Sequence, residues 1–224
     1  NKLIPGVLIK RYKRFFVDIQ LSDKTITAHC PNPGSMLKLL HKGNRVWITK
    51  SKNEKRKLQY TLQIIKIGKI KFCINTHITN KIIKEALEKK LIDELTEYNL
   101  VRPEKKFGSN TRFDFLLYNS KKDKKAFLEV KSVSLRRDEY HAEFPDAVTT
   151  RGKKHLQSLV EANKHGYEGY LMFLIQIEKC RSFGIASDID PEYYKFFKDA
   201  LKKNIKVLCY DCKFSNKGIE INKK

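Results

Sequence analysis

Arg112-Phe113-Asp114-Phe115-Leu116-Leu117-Tyr118, followed after seven polar residues (119–125) by Ala126-Phe127-Leu128-Glu129-Val130-Lys131-Ser132-Val133, is the most informative stretch of this chain. Both runs are short and rich in aromatic and aliphatic residues. The charged segment between them is a turn signal, so the pair predicts an antiparallel hairpin. Side chains alternate along a strand, which puts Glu129 and Lys131 on one face, and the hairpin brings Asp114 alongside them. Each carboxylate interrupts an otherwise apolar strand, where an unpaired charge is expensive. Two facing carboxylates repel unless one is protonated or a cation lies between them. Asp114, Glu129 and the carbonyl of Val130 are hard oxygen donors that suit Mg²⁺ or Mn²⁺. Lys131 is then placed to orient or deprotonate an attacking water and to neutralise phosphate charge. The competing account is a cross-strand salt bridge of Asp114 or Glu129 with Lys131 or Arg112, worth ~0.2–1 kcal/mol. An acidic-x-Lys triplet alone recurs by chance in so lysine-rich a chain; the apolar setting carries the weight.

Around the hairpin, apolar residues Ile82, Ile83, Ala86, Leu87, Leu91 and Leu95 repeat at helical spacing over 79–97. A strand over 100–107 precedes the hairpin. A helix over 148–164, closed by Gly166, follows it, then a strand over 169–177 whose near-continuous hydrophobicity predicts burial on both faces. A helix from Pro191 to about 203 and a strand over 205–210 complete the order α-β-β-β-α-β-α-β, a mixed sheet flanked by helices spanning 78–224. Thr149 and Thr150 can cap the 148–164 helix, and Arg151, Lys154 and His155 near its start suit a phosphodiester or its leaving group. Glu85 lies on the first helix, ahead of the sheet. Cys209 and Cys212 form a lone CxxC without matching zinc ligands and are expected in the core.

Residues 1–77 read as a separate all-β domain. Short β-branched and aromatic runs recur at 7–12, 15–21, 25–29, 45–49, 60–67 and 71–74, with one short helix expected over 35–40, Ser35 as its N-cap. Five or so strands in so few residues predict a small barrel of the kind exemplified by the OB-fold. The whole chain of 224 residues has 47 basic and 25 acidic side chains, a net +22. Residues 1–80 contain 17 basic and 3 acidic side chains, so +14 is concentrated there. That concentration points to a polyanion, with nucleic acid ahead of a membrane surface because no basic amphipathic helix stands out. Asn32-Pro33-Gly34 is first of all a turn; Gly34 and Ser35 could offer backbone N–H groups to a phosphate, with Asn32 a further nucleic-acid-binding candidate and His29, Arg56 and Lys57 lining the same groove. No apolar run is long enough to span a bilayer and no signal-peptide pattern opens the sequence, so a cytoplasmic protein is expected. A homo-oligomer stays open.

At these residues the chain resembles a known family. The Asp114…Glu129-x-Lys131 hairpin after a helix is similar to the PD-(D/E)xK nuclease superfamily, a resemblance that implies Glu85 on that helix as a candidate third carboxylate. The segments Ala28-His29-Cys30-Pro31-Asn32-Pro33-Gly34-Ser35-Met36, Arg112 to Leu117, Glu129-Val130-Lys131-Ser132-Val133 and Phe144-Pro145-Asp146-Ala147-Val148-Thr149-Thr150-Arg151-Gly152 resemble, in order, the sugar fermentation stimulation protein A family. That resemblance implies DNA binding, an OB-like N-terminal domain and a restriction-endonuclease-like C-terminal domain. It implies catalysis less directly, since family members have also been described as regulators of sugar use. Two functions follow as expectations: a Mg²⁺- or Mn²⁺-dependent nuclease on DNA or RNA, or a non-catalytic DNA-binding regulator on a nuclease-like fold. The presence of all three of Asp114, Glu129 and Lys131 favours the first, and no helix-turn-helix reader is visible for the second.

Overall fold

The computed structural model describes residues 2–109, 111–215 and 218–222. Six strands build the N-terminal part: β1 (Ile4–Tyr12), β2 (Phe16–Gln20), β3 (Thr25–His29), β4 (Arg45–Lys50), β5 (Tyr60–Ile67) and β6 (Ile70–Cys73). The sheet runs β3-β2-β1-β4-β5-β6, and a short parallel pairing of β3 with β5 (Ala28 to Tyr60, His29 to Thr61) closes five strands into a barrel. Closure removes the exposed strand edges that would otherwise template aggregation. Inward residues, among them Leu8, Val17, Ile19, Val46, Ile48, Leu62 and Ile65, are wholly buried and form its core.

The helix expected over 35–40 does not form. Met36 (φ 55°) and Lys38 (φ 61°) are left-handed, which no helix accommodates. The segment is instead tied down from outside. Arg11 donates to the carbonyls of Asn32 (2.7 Å) and Gly34 (3.0 Å), and Asp146 accepts from Met36 N–H (3.1 Å). Asp146 is packed so closely on Gly34 that a Cβ there would overlap its carboxylate. Gly34→Ala is therefore expected to destabilise the protein by about 1–3 kcal/mol, the usual cost of overpacking. Combining it with Asp146→Ala in a double-mutant cycle, read by denaturant unfolding, should recover part of that loss; strict additivity would refute the contact.

The C-terminal part starts with α1 (Thr79–Glu88), shorter than the expected 79–97. Lys90 is left-handed (φ 56°) and ends it, although Leu91 and Leu95 continue the apolar spacing; a 3-10 turn over Asp93–Leu95 still buries Leu95. The main sheet comprises β7 (Leu100–Phe107), β8 (Thr111–Asn119), β9 (Lys124–Val133), β12 (Glu168–Ile175), β14 (Lys206–Ser215) and β15 (Gly218–Ile221), ordered β15-β14-β12-β9-β8-β7. β7, β8 and β9 are an antiparallel meander, while β9, β12 and β14 run parallel. The near-continuous apolar run on β12 is buried throughout after its first residue, as its central place requires. On one sheet face α1 covers Phe115, Leu117, Leu128 and Met172; on the other, α2 (Thr150–Lys164) and α3 (Pro191–Lys202) cover Phe113, Phe127, Leu171 and Phe173. A second small sheet, β10 (Leu135–Asp138), β11 (His141–Phe144) and β13 (Ser182–Ile185), was not expected from the sequence.

The barrel is joined to the second part through polar contacts, those of Gln176 among them buried. Gln176, fully buried, accepts from Thr79 Oγ1 (2.8 Å) and Ser132 Oγ (2.5 Å), donates to Cys73 Sγ, and its carbonyl accepts from Cys73 N–H (2.9 Å). Ser35 Oγ donates to the Asp146 carbonyl (2.5 Å) and Asn32 Nδ2 to Ser134 Oγ (3.4 Å). Among the described residues no helix is long and apolar enough to cross a membrane.

Candidate functional site

The hairpin ladder runs regularly until it reaches Asp114. Pairing of β8 with β9 stops at Phe115 opposite Leu128. On the other side, β7 and β8 pair Pro103 with Phe115 and Lys105 with Phe113, with no rung at Glu104 and Asp114. Glu104, at φ 52°, is left-handed there. Asp114 is thus released from both neighbours, and its side chain substitutes for the missing main-chain partner: Val130 N–H donates to Asp114 Oδ2 (2.7 Å). Asn80 of α1 donates to Oδ1 (2.7 Å). In an extended strand the carbonyl lies on the same side as the N–H of its residue, so the Val130 carbonyl faces the same gap.

Glu129 approaches from β9 and is 3% exposed. Its Oε1 accepts from Lys131 Nζ (2.8 Å) and from His155 Nδ1 on α2. Arg151 Nε donates to His155 Nε2 (3.4 Å), which leaves the ring proton on Nδ1, facing the carboxylate. A histidine pinned this way fixes the orientation of the acid it touches. Glu129 Oε2, by contrast, is buried and has no hydrogen-bond partner, and neither has the buried Tyr193 hydroxyl. Burial and then the Glu129 charge push the Asp114 carboxyl up. Burial raises Glu129 too, but Lys131 and His155 outweigh it and hold its carboxyl below its ordinary value.

These groups floor a cleft of about 900 Å³ between the two parts of the molecule. Arg14, His77, Lys81, Lys84 and Arg151 add positive charge or ring nitrogens to its walls. Thr149 caps α2, accepting from Gly152 N–H (3.0 Å), and its own N–H donates to Asp190 (2.8 Å), which also caps α3.

The expected residues divide by location. Asp114, Glu129, Val130 and Lys131 are brought together. Arg151 reaches the cleft wall, whereas His155 is buried behind Glu129 rather than facing a phosphodiester. Lys154 is exposed on α2. Glu85 is turned to solvent and pairs with Lys89 one helical turn on; the residue of α1 that meets the carboxylates is Asn80. Asn32 and Gly34 line the cleft, but the Gly34 N–H donates to Asn32 Oδ1 (2.8 Å), and the Asp146 carboxylate takes the next amide in the turn, Met36 N–H. Arg56 donates to Thr61 Oγ1 (2.9 Å) near His29, and Lys57 is exposed. Arg11, Asn80 and Gln176 carry no sequence signal of their own, since each acts through a partner tens of residues away, and Asp146 is marked only by the family-like segment that holds it.

Two family models match: the SfsA N-terminal OB domain over residues 9–74 and the sugar fermentation stimulation protein RE domain over residues 77–218. The chain belongs to the SfsA family. A sugar fermentation stimulation protein homolog of Pelagibacter ubique is 51% identical over 222 residues, covering 99% of this chain and 95% of the relative. A homolog of the same name from Pseudoalteromonas atlantica is 43% identical over 227 residues, covering 100% and 96%. Among solved structures, Pyrococcus furiosus SfsA, described in complex with Ca²⁺, superposes with a TM-score of 0.90 over 100% of this chain and 94% of that one, at 23% identity. The SfsA architecture, a five-stranded barrel ahead of a curled mixed sheet with helices, is thus the one read from periodicity.

Proposed function

We propose that this SfsA protein is a divalent-metal-dependent nuclease that binds nucleic acid and hydrolyses its phosphodiester bonds. The observation that carries this is the broken ladder at Asp114 beside Glu129, a buried acid with one oxygen unpartnered. A stable sheet has no use for that arrangement, because a buried polar oxygen left without a hydrogen bond costs about 1–3 kcal/mol. Asp114, Glu129 and the Val130 carbonyl would hold the cation, with water and substrate phosphate completing its shell. Mg²⁺ keeps several waters and takes one or two carboxylates, so two carboxylates and a carbonyl suffice to hold it. The Ca²⁺ of the Pyrococcus furiosus structure is likewise a hard, oxygen-seeking ion. Bound there, the cation supplies Lewis-acid polarisation of a phosphoryl oxygen.

The protein's own groups do the rest. His155 and Arg151 fix Glu129, Asn80 and Val130 N–H fix Asp114, and Lys131 positions a water and balances charge as the phosphorane develops. The family's name favours a second reading, a non-catalytic regulator using the same surface. Incubating the pure protein with Mg²⁺ or Mn²⁺ and single- and double-stranded DNA and RNA separates the two: cleavage of none of these would overturn the nuclease.

Binding itself is expected to be weakly sequence-selective and steeply salt-dependent, given the +14 on residues 1–80. A protein contacting several phosphates loses about 10³-fold or more in affinity between ~50 and ~200 mM salt. Affinity that is flat across that range, in a fluorescence-anisotropy titration, would contradict phosphate-led binding.

A further inference from the structure

Between β1 and β2 the chain turns through two consecutive left-handed residues, Lys13 (φ 45°) and Arg14 (φ 63°), neither of them glycine. Such residues are strained and persist only where the surroundings enforce them. Here Arg11 Nε donates to the Arg14 carbonyl (2.7 Å), Phe15 N–H to the Lys13 carbonyl (2.7 Å), and Cys30 N–H to the Phe15 carbonyl (2.9 Å). The product of this strain is a phenylalanine held out in water: Phe15 is 40% exposed. Its ring is stacked on His29 (centroids 6.3 Å apart, planes 29° apart), and His29 in turn leans on His77 (5.9 Å, 36°). His77 and Arg14 line the cleft that holds Asp114. The three rings therefore form a staircase from the barrel's outer surface to the wall of that cleft. Burial, then the charges of Arg56 and His77, push the His29 ring down from its ordinary value, which favours the neutral imidazole.

We infer that Phe15, His29 and His77 are a stacking platform for the unpaired bases of a single strand and feed that strand into the cleft. The inference rests on the nucleic-acid reading above and deepens it by naming the substrate class. In a duplex each base face is covered by its neighbours and only edges are offered, whereas unpaired bases present faces that aromatic rings can take regardless of sequence. The +14 of residues 1–80 complements the backbone that accompanies those bases.

The test is run with metal chelated, so that nothing is cut. A short single-stranded oligonucleotide carrying one 2-aminopurine, in DNA and RNA versions, is titrated with the protein beside a blunt duplex of the same length. The parent should quench the 2-aminopurine. Phe15→Ala, at an exposed position that does not threaten folding, should lose that quenching and weaken single-strand affinity by on the order of tenfold, the worth of one base–aromatic stack. Duplex affinity should stay unchanged, and Phe15→Trp should restore both quenching and affinity. The DNA and RNA arms show which sugar the platform prefers. A parent that binds both forms while Phe15→Ala alters neither, or alters both equally, overturns the platform alone. A parent that binds neither overturns the nucleic-acid reading, and the platform with it.

Discussion

Glu129→Gln is expected to abolish Mg²⁺-dependent cleavage while leaving nucleic-acid binding intact or slightly tighter. The amide keeps the shape of the carboxyl, so His155 and Lys131 retain a nearby acceptor at the position now held by Oε1. What it removes is the charge that a hard cation needs and that repels phosphate. Asp114→Asn should behave alike for the same reason, with the added loss of one acceptor for Val130 N–H or Asn80. Thermal unfolding of each variant separates lost chemistry from lost fold. Paired cleavage and anisotropy assays then decide: either variant cutting like the parent refutes the proposed cation site, whereas loss of cutting with retained binding supports it.

Lys131→Arg is the second large effect, and it distinguishes a role in chemistry from a role in charge. Lys131 is nearly buried, its ammonium 2.8 Å from Glu129 Oε1. Were it only a counter-charge, arginine would serve. If it positions or deprotonates the attacking water, a larger, planar and effectively permanent cation should fail. The expected loss is on the order of 10²-fold in cleavage, the scale of general acid–base help, with nucleic-acid affinity nearly unchanged. Lys131→Ala is expected to lose as much activity and to weaken binding modestly. An arginine variant as active as its parent would leave the nuclease standing but remove this role from Lys131.

The sequence made the hairpin and its three polar residues legible because strand alternation is strict and a carboxylate inside Phe-Asp-Phe or Leu-Glu-Val stands out. It also made the double burial of β12 legible, since nothing polar interrupts that run. The 35–40 segment misled because serine before an apolar run signals a helix cap and a turn equally, and the contacts that settle it, from Arg11 and Asp146, come from elsewhere in the chain. The end of α1 misled because Leu91 and Leu95 keep helical spacing while serving a different turn. β10, β11 and β13 are four residues each, too short for a period to register. Asn80 and Gln176 were invisible for a further reason: a neutral amide marks a site only through what it touches.

The seam around Gln176 and Asp146 has a consequence for what the products would look like. With the barrel hydrogen-bonded to the second part through Cys73, Gln176, Ser35 and Asp146, the span from Phe15 to Asp114 is set by the fold and not by a hinge. A strand gripped on the barrel would meet the carboxylates at a constant offset, as stock meets the blade of a guillotine against a fixed stop. On the nuclease reading, fragments should differ in length by a regular number of nucleotides, and loosening the Gly34–Asp146 contact should blur that spacing before it slows the cut.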